Sequence, residues 1–426
     1  MENRELIVIG AGAAGMLAAL SAAEEGVSVL LLEKMEKAGR KVRITGKGRC
    51  NITNTKNWDE FSKHVYPKNN FFKPAFYNLT NSKTIALFEK IGLETIIERG
   101  DRVYPKTGQA KDVVDSLVNR LNVLGVEVRY NARVTDVKSI DGSVTELVWD
   151  ENGTRKSVSP KAVIVATGGL SYPTTGSDGD GYKFAGNLGH NIVPCFPSLT
   201  ALMPKGYDSS LESLVLKNVT LKLYIGKDAV QEEFGDIEFT NNGLEGPLGL
   251  RVSRKAVKAL LNGEKVFITI DLKPALSEVQ LINRINREFD ANGKIRITDL
   301  LPRLLPKQLI EPFMKQNKLL SGKILSSQLP GEIYPIIDSL KNWKLEIESF
   351  TSFERCVITA GGVSMNDIVS KNMSSRIIKN LYFAGEVIDI DGDTGGYNLQ
   401  IAFSTGYLAG KSAAHFILKS NCKSSE

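Results

Sequence analysis

The stretch LIVIGAGAAG at residues 6–15 joins an apolar, β-branched run directly to a GxGxxG pattern. The apolar run predicts a buried parallel strand. Apolar residues then recur at helical spacing between Met16 and Ala23, and a second apolar run follows at residues 27–32. This order predicts a complete βαβ unit with the glycines in its first turn, and therefore a Rossmann-like α/β domain.

The glycine spacing in this first turn predicts a dinucleotide site. Gly10 allows the tight turn, Gly12 lets a pyrophosphate approach the backbone, and Gly15 lets the helix pack closely on the strand. The start of the helix then offers free N–H groups to the phosphate charge. Glu33 ends the second strand, where a carboxylate can accept a hydrogen bond from a ribose hydroxyl. The unit alone does not distinguish NAD from FAD.

A glycine-rich, basic segment at residues 39–54 follows this unit and shows no apolar period. We interpret it as a loop that wraps the pyrophosphate and reaches the second half of a long cofactor. The alternative interpretation is an exposed basic loop. Further along, the apolar run at residues 162–165 leads into Gly168 and Gly169, which let the backbone approach a ligand.

The pattern of apolar and polar residues changes near Pro194. Alternating runs predict a β-rich region, a helical region follows, and the C-terminal part returns to glycine-rich α/β patterns. We therefore predict a nucleotide-binding domain that is split in sequence by an insertion. The predicted ranges are 1–192 and 345–426 for the nucleotide-binding domain, 193–272 and 324–344 for the inserted β-rich domain, and 273–323 for a helical subdomain.

The helical subdomain at residues 273–323 carries nearly all of the net charge. It holds ten Lys and Arg against five acids, a balance of +5 in a chain of net charge +6. Such a segment forms either a solvated helical face or a surface for RNA or another acidic partner.

Composition excludes several classes of protein. The chain has 426 residues, of which 42% are hydrophobic and 24% charged, as in ordinary globular proteins. Its four cysteines lie far apart without a CxxC pair, which argues against a disulfide scaffold or a zinc cluster and favours a reducing compartment. The three histidines, at 64, 190 and 415, are widely spaced, so we expect no metal site and assign them structural roles. No apolar run reaches about 18 residues, so we expect a cytoplasmic protein without a membrane span.

Seven sequence blocks together resemble one family, the BaiN/RdsA-like (aminoacetone-oxidase-like) FAD flavoproteins. The resemblance extends over essentially the whole chain. One block departs from the family pattern, because Asn241 stands where many members have His. Besides the GAGAAG start, the blocks are TGKGRCNITN (45–54), ATGG (166–169), FTNNGLEGP (239–247), TAGGV (359–363), YFAGE (382–386) and GGYNLQ (395–400).

The resemblance implies a noncovalent FAD that spans the two sequence pieces of the nucleotide-binding domain. It implies that the first turn holds the pyrophosphate, Glu33 the adenosine ribose and Val134 the adenine through its backbone. It also implies that the C-terminal blocks flank the isoalloxazine ring. The implied cofactor-binding residues are Gly10, Gly12, Ala13, Ala14, Gly15, Glu33, Lys34, Arg40, Lys41, Thr45, Gly46, Gly48, Arg49, Cys50, Asn51, Val134, Ala166, Thr167, Gly168, Gly385, Glu386, Gly396, Asn398, Leu399 and Gln400.

Three functions compete at this point. The first is a reductase that delivers hydride from reduced FAD to a C=C bond, with uridine in ribosomal RNA as a substrate that the resemblance suggests. The second is a small-molecule amine oxidase that uses oxygen, like aminoacetone-oxidising relatives. The third is a non-enzymatic FAD-containing RNA-binding factor, with RNA contact through residues 273–323. No second GxGxxG unit is present, so NAD(P)H would bind only transiently as electron donor, or the substrate itself would supply electrons.

A reductase needs an acid that protonates the second carbon. Cys50 is a candidate donor, with a packed or cofactor-lining thiol as the alternative. Arg49 could orient a carbonyl or anionic group, or instead bind a phosphate of FAD. Asp391 and Asp393 could bond to the ribityl chain or cap a glycine turn.

Overall fold

The computed structural model describes residues 2–320, 323–325 and 330–423. The chain forms two compact units, the first from residues up to Phe196 and from Phe353 onward, the second from Pro197 to Ser352. The predicted domain ranges include residues 1, 321–322, 326–329 and 424–426, which lie outside the described residues.

A nine-stranded sheet forms the centre of the first unit. Five of its strands run parallel to one another. At the centre, Glu2–Ile9 pairs in parallel with Val29–Leu32 on one side and with Thr154–Val165 on the other. Glu127–Arg129 and Leu381–Phe383 extend the parallel part at its two edges. The remaining strands of the sheet are Ala132–Ile140, Ser143–Glu151, Ile368–Val369 and Ser374–Ser375, and the small sheets of this unit use Thr53–Asn54, Val65–Tyr66, Thr95–Glu98, Arg102–Pro105, Ile192–Ser198, Ile358–Val363 and Asp391–Gly392.

Two helices of the first unit pack backbone against backbone. The first helix (Ala13–Glu24) and the final helix (Tyr397–Lys423) lie so close that a Cβ added at Gly406 would come within 2.2 Å of the Ala14 carbonyl oxygen. A Cβ at Gly410 would meet the Ala18 carbonyl oxygen at 2.0 Å. The other α-helices of this unit are Arg40–Gly48, Trp58–Phe61, Asn69–Asn78, Asn81–Lys90, Ala110–Val123 and Asp180–Asn187.

The prediction of a loop at residues 39–54 was wrong for its first part. Residues from Arg40 onward begin a helix, which breaks at residues 45–47, where the backbone angles are no longer helical. Gly39 starts this helix in the left-handed region and lies against Val114, where a Cβ would meet a methyl group at 2.6 Å. Val42 is the buried residue of this helix and packs in the hydrophobic core.

The second unit contains a closed six-stranded barrel. Its strands are Leu202–Pro204, Val215–Ile225, Asp228–Thr240, Gly243–Glu245, Val266–Asp271 and Trp343–Phe350. The helix Gly246–Leu261 buries Val252, Ala256 and Val257. A second sheet pairs Ile295–Arg296 with Ile324–Leu325, and the further helices are Glu278–Asn292, Ile297–Leu300, Lys307–Gln316 and Pro330–Lys341.

The unit boundaries differ from the predicted ranges by a few residues. Trp343–Phe350 lies between two barrel strands, pairing with Val266–Asp271 and Leu202–Pro204. The barrel could not close without it, so the second unit extends to Ser352 and not to residue 344. Among the helices that the structure describes, none is long and apolar enough to cross a membrane.

Candidate functional site

Four parallel strands of the first unit end at the same edge of the sheet. They end at Ile9, Leu32, Val165 and Phe383. Ligands of open α/β sheets bind at this carboxyl edge. Predicted site segments follow each of these ends directly, at residues 10–15, 33–34, 166–168 and 385–386.

The N-terminal turn (residues 10–15) uses its three glycines for different purposes. Gly10 has a φ of +99°, and a Cβ there would lie 2.7 Å from the Ala166 carbonyl oxygen. A Cβ at Gly15 would lie 1.8 Å from the Gly10 carbonyl oxygen. At Gly12, by contrast, an added Cβ would meet nothing within 4 Å. Two glycines are therefore required by packing, and the third leaves open space above the start of the first helix.

Glu33 fixes the shape of this turn. One carboxylate oxygen accepts the Ala11 N–H at 2.8 Å and the other accepts the Met35 N–H at 2.9 Å. Burial raises the pKa of the Glu33 carboxyl above its ordinary value, and the two backbone N–H groups partly oppose this. Each carboxylate oxygen keeps a further lone pair, so a ribose hydroxyl could still donate to it.

Two other predicted cofactor-binding side chains are already paired with acids. The Lys34 ammonium bonds to Asp178 and, at 3.1 Å, to Asp180. The Arg40 guanidinium bonds at 2.9 Å to Glu36, one helical turn earlier. The structure therefore does not present either side chain as a free cation for phosphate.

Lys41 and Glu386 meet although 345 positions separate them. The Lys41 ammonium lies 2.6 Å from one Glu386 carboxylate oxygen and 2.8 Å from the Ser171 hydroxyl. The other Glu386 oxygen accepts the Thr359 N–H at 2.9 Å and the Ser171 hydroxyl at 2.5 Å. This partly buried network joins two predicted cofactor-binding residues, whereas the sequence reasoning did not single out Ser171 and Thr359 as side chains of the site.

The two predicted catalytic side chains lie in different surroundings. Arg49 makes a two-pronged ion pair with Glu98 and stacks over the Tyr104 ring, with 4.4 Å between the guanidinium carbon and the ring centre. The Cys50 thiol is fully buried, and desolvation raises its pKa to about 12. Cys50 is thus a packed thiol, the alternative that the sequence left open, and has no access to a substrate.

The C-terminal turn (residues 391–396) is tied to residues 51–54. The Asn51 amide nitrogen donates to the Thr53 carbonyl at 2.8 Å, and its oxygen accepts the Gly396 N–H at 3.0 Å. Asn54 donates to the Gly395 carbonyl at 3.0 Å. A Cβ at Gly396 would come within 2.4 Å of the Thr53 backbone, so only glycine permits this approach. Two predicted segments of the site therefore form one body.

The predicted residues at the start of the final helix have mostly structural side chains. The Asn398 amide bonds to both backbone groups of Gly392, at 2.8 and 2.7 Å. The Gln400 side chain is fully buried and donates to the Leu79 carbonyl and the Thr84 hydroxyl. The Gln400 side chain thus faces the protein interior, and the expectation that residues 398–400 flank the flavin stays a prediction. What this region can offer a ligand is the backbone N–H groups of the helix start, together with half-buried Leu399.

Three further predicted residues lie near the same edge. Val134 belongs to Ala132–Ile140, a strand held beside the Glu33 backbone by the Ala132 N–H at 2.9 Å. The loop after Val165 contains Thr167, whose hydroxyl packs against Gly181, and Gly168, whose φ is +74°. The structure thus places both the proposed adenine contact and the strand-end glycines at one edge.

His64 and Asp393 form a pair that the sequence reasoning missed. The imidazole Nδ1 lies 2.7 Å from Asp393 Oδ2, across 329 positions of sequence. The histidine was assigned a structural role because no sequence pattern linked it to another group. The sequence offered Asp393 either a bond to the ribityl chain or a cap on a glycine turn, but nothing in it indicated that His64 would face this carboxylate.

The family model described as the HI0933-like protein Rossmann domain matches residues 4–412. The chain belongs to this family, and the expected resemblance is confirmed. It is an FAD-dependent oxidoreductase with the predicted Rossmann-type fold.

Relatives with assigned names match nearly the whole chain. A 3-dehydro-bile acid delta(4,6)-reductase of Clostridium scindens is 30% identical over 409 residues, which cover 96% of this chain and 98% of the relative. A ribosomal RNA dihydrouridine synthase of Escherichia coli is also 30% identical over 409 residues, 96% of this chain and 97% of the relative.

Solved structures share the fold at low sequence identity. A 3-ketosteroid delta1-dehydrogenase from Sterolibacterium denitrificans superposes with a TM-score of 0.55 and 13% identity, over 97% of this chain and all of the other. A 3-ketosteroid-delta4-(5alpha)-dehydrogenase from Rhodococcus jostii gives a TM-score of 0.53 and 18% identity, with the same coverage.

Proposed function

We propose that this member of the HI0933-like family is a reductase that adds hydrogen across a C=C bond conjugated to a carbonyl, with uridine in ribosomal RNA as substrate. The two named relatives act on compounds with the same arrangement of bonds. Uracil and a 3-oxo-4-ene both have a C=C bond next to a carbonyl group. The observation that carries the choice of RNA is the exposed basic surface of the second unit.

This basic surface lies on residues 278–320 and 323. Most of its cations are exposed, and only part of them face an acid, as Arg303 does with Glu288. Phosphate neutralisation by such cations supplies much of the affinity for RNA. The exposed cations of the basic surface are Arg287, Lys294, Arg296, Arg303, Lys307, Lys315, Lys318 and Lys323.

A cavity of 770 Å³ opens on the helix Glu278–Asn292 within this surface. Two guanidinium groups and two carboxamides line it, together with one leucine and one glutamate. Such a lining suits phosphates and base edges better than the apolar body of a steroid. The lining residues are Leu276, Gln280, Asn283, Arg284, Arg287 and Glu288.

The residues of the first unit fit an FAD. The open space at Gly12 can admit the pyrophosphate, and Glu33 stands where the ribose would bind. The N–H groups at the start of the final helix would stabilise negative charge on the reduced ring. When bound, FAD supplies the hydride chemistry, and the protein positions and tunes it.

Lys41 and Glu386 have a proposed role at the same site. Their ion pair joins the helix that begins at Arg40 to the loop after Phe383, and both side chains are only partly exposed. We expect the pair to hold these segments in register rather than to transfer protons, since each Glu386 oxygen already accepts a hydrogen bond.

NAD(P)H is the proposed electron donor, bound transiently, because the sequence carries a single GxGxxG unit. A cytoplasmic location is part of the proposal as well. The four cysteines lie far apart in the sequence without a CxxC pair, a pattern that favours a reducing compartment.

The test is an anaerobic reoxidation assay. The flavoprotein is reduced with NADPH or NADH and then mixed without oxygen with ribosomal RNA transcribed in vitro or with a 3-oxo-4,6-diene bile acid. Separately, the oxidised flavoprotein is mixed with aminoacetone in air, without NADPH or NADH. We expect reoxidation by the RNA, with dihydrouridine detected by mass spectrometry of its nucleosides. Reoxidation by the bile acid and not by the RNA would indicate that the substrate is a steroid. Peroxide formation with aminoacetone and none of these reductions would overturn the proposal in favour of an amine oxidase.

A charge variant tests the basic surface separately. In wild type, the logarithm of the RNA association constant should fall linearly with the logarithm of the salt concentration. Replacing Lys294 and Arg296 with Gln should make this slope shallower by about 0.7 to 0.9 for each phosphate that the protein no longer neutralises. The matched control replaces Lys217 and Lys227, which are exposed on barrel strands or their hairpin. Equal slopes in both variants would mean that the surface is merely solvated.

A further inference from the structure

The pair His64–Asp393 has the geometry of an oriented acid. His64 precedes the short strand Val65–Tyr66, which pairs with Asp391–Gly392. The Asp393 N–H donates to the His64 carbonyl at 3.1 Å, so the two residues are joined through their backbones as well as through their side chains. Because Asp393 holds Nδ1, the other ring nitrogen is the one available to a ligand.

The carboxylate in this pair is itself fixed. The Asp393 side chain is only 8% exposed, and its Oδ2 also lies 3.4 Å from the Tyr66 hydroxyl. The Asn398 amide holds the Asp393 carbonyl at 3.3 Å. Buried carboxylates held in this way set the orientation and tautomer of a partner imidazole.

The outward nitrogen of His64 is accessible. The side chain of His64 is 34% exposed, and within the described part of the chain no hydrogen bond involves Nε2. This contrasts with His190, whose two ring nitrogens are both occupied, by the Ala185 carbonyl and the Ser375 hydroxyl.

The pair also lies next to the flavin end of the site. The His64 ring packs on Tyr397, the first residue of the final helix, with 4.7 Å between ring centres. Asp393 belongs to the C-terminal turn, which is tied to residues 51–54 through Asn51 and Asn54. No other histidine of the described chain lies beside these segments.

We propose that His64 is the acid of the reduction, with Asp393 as its positioning residue; this rests on the proposed function. Hydride arrives at one alkene carbon from reduced FAD, which is left oxidised. The π electron pair then forms the second C–H bond with the proton on His64 Nε2, and the neutral imidazole regains a proton from water. Because the Cys50 thiol is fully buried, His64 takes the role of proton donor for which Cys50 was a candidate.

The experiment separates proton delivery from electron delivery. Dithionite-reduced wild type, His64→Gln and Asp393→Asn are each mixed anaerobically with the ribosomal RNA transcript and, separately, with ferricyanide, which accepts electrons without forming a C–H bond. We expect His64→Gln to slow reoxidation by RNA by about 10²- to 10⁴-fold, without a comparable loss with ferricyanide. Asp393→Asn should lose less, since the imidazole remains.

Controls keep the outcomes distinct. His415→Gln removes another histidine, which lies on the final helix and pairs with the Glu25 carboxylate, and this variant should react as wild type does. The FAD absorption spectrum and FAD affinity of every variant show whether the site is intact. In His64→Gly, added imidazole should restore part of the rate with RNA, because the ring site is partly open to solvent.

The results decide between two failures. If wild type is not reoxidised by RNA or by the bile acid, the proposed function fails. If wild type is reoxidised and His64→Gln keeps the same rate, the assignment of His64 alone is overturned. Equal losses with RNA and ferricyanide, without imidazole rescue, would also overturn it, because they mark a purely structural role.

Discussion

The N-terminal turn and the C-terminal turn both present backbone N–H groups at a helix start, but they are built in opposite ways. The N-terminal turn consists of consecutive residues, and its glycines contact each other and the next strand end. The C-terminal turn is held by side chains from far away in sequence, namely Asn51, Asn54 and His64. A ligand site can thus be local in one half and assembled by the fold in the other.

Because of this difference, we expect different kinds of substitution to disrupt the two turns. In the N-terminal turn, single added methyl groups either collide with backbone or fill the ligand space. In the C-terminal turn, the loss of one remote amide frees the backbone that it holds. The predictions below test this contrast, from the largest expected effect to the smallest.

Gly15→Ala should have the largest effect. The added Cβ would lie 1.8 Å from the Gly10 carbonyl oxygen, so the first helix must move away from the sheet. We expect a loss of about 3 kcal/mol or more in the free energy of unfolding, measured by urea denaturation. Gly186→Ala is the control, since a Cβ there meets nothing within 4 Å. A stable Gly15→Ala variant would contradict the packing role.

Gly12→Ala should leave folding intact and weaken FAD binding. The backbone angles at Gly12, φ −81° and ψ −170°, suit alanine, and the methyl group would enter open space. Where the pyrophosphate binds, that methyl group should raise the FAD dissociation constant at least about tenfold, or about 1.4 kcal/mol. Titration of the apoprotein with FAD measures this, and an unchanged constant would place the pyrophosphate elsewhere.

Asn54→Ala should loosen the C-terminal turn. The buried amide donates to the Gly395 carbonyl and accepts the Lys56 N–H. Its loss should cost about 1 to 3 kcal/mol of unfolding free energy and should also lower FAD affinity. Asn57→Ala is the matched control, because exposed Asn57 caps a local helix and does not contact the turn. Equal FAD affinities in both variants would argue against assembly by the fold.

The pH dependence of stability should show the smallest effect, through His190, which belongs to neither turn. Burial lowers the pKa of His190 below its ordinary value of 6.5. The unfolded chain therefore binds more protons as the pH falls below about 6.5, and the unfolding free energy decreases in that range. Urea midpoints at about pH 7.5 and about pH 5.5 measure this, bracketing the ordinary histidine pKa. His190→Gln should reduce the difference.

The sequence was most informative where function depends on backbone. The strand at residues 6–9, the three glycines and Glu33 could be assigned because each role is local and needs a specific residue type. The split of the nucleotide-binding domain was also visible, since glycine-rich α/β patterns return after the insertion. The individual cofactor contacts remain predictions.

Side-chain roles were harder to predict. Lys34 and Gln400 carried the right polarity for a cofactor site, but each has a protein partner that is remote in sequence. Arg40 pairs with Glu36, four residues earlier. The helix beginning at Arg40 escaped detection because its segment shows no apolar period, and Val42 is its buried apolar residue. The strand Trp343–Phe350 closes the barrel by pairing with Leu202–Pro204 and Val266–Asp271. The alternation of residues within this strand does not reveal which strands it pairs with.

By itself, the sequence determined a βαβ dinucleotide turn, an interrupted α/β domain and a basic insertion, because glycine spacing, strand periodicity and charge are properties of neighbouring residues. The tertiary structure alone decided that Cys50 is sealed in the core, that Lys41 meets Glu386, and that Asp393 orients His64. Burial and long-range contacts depend on how the whole chain packs, and a carboxylate acquires its partner only when remote segments come together.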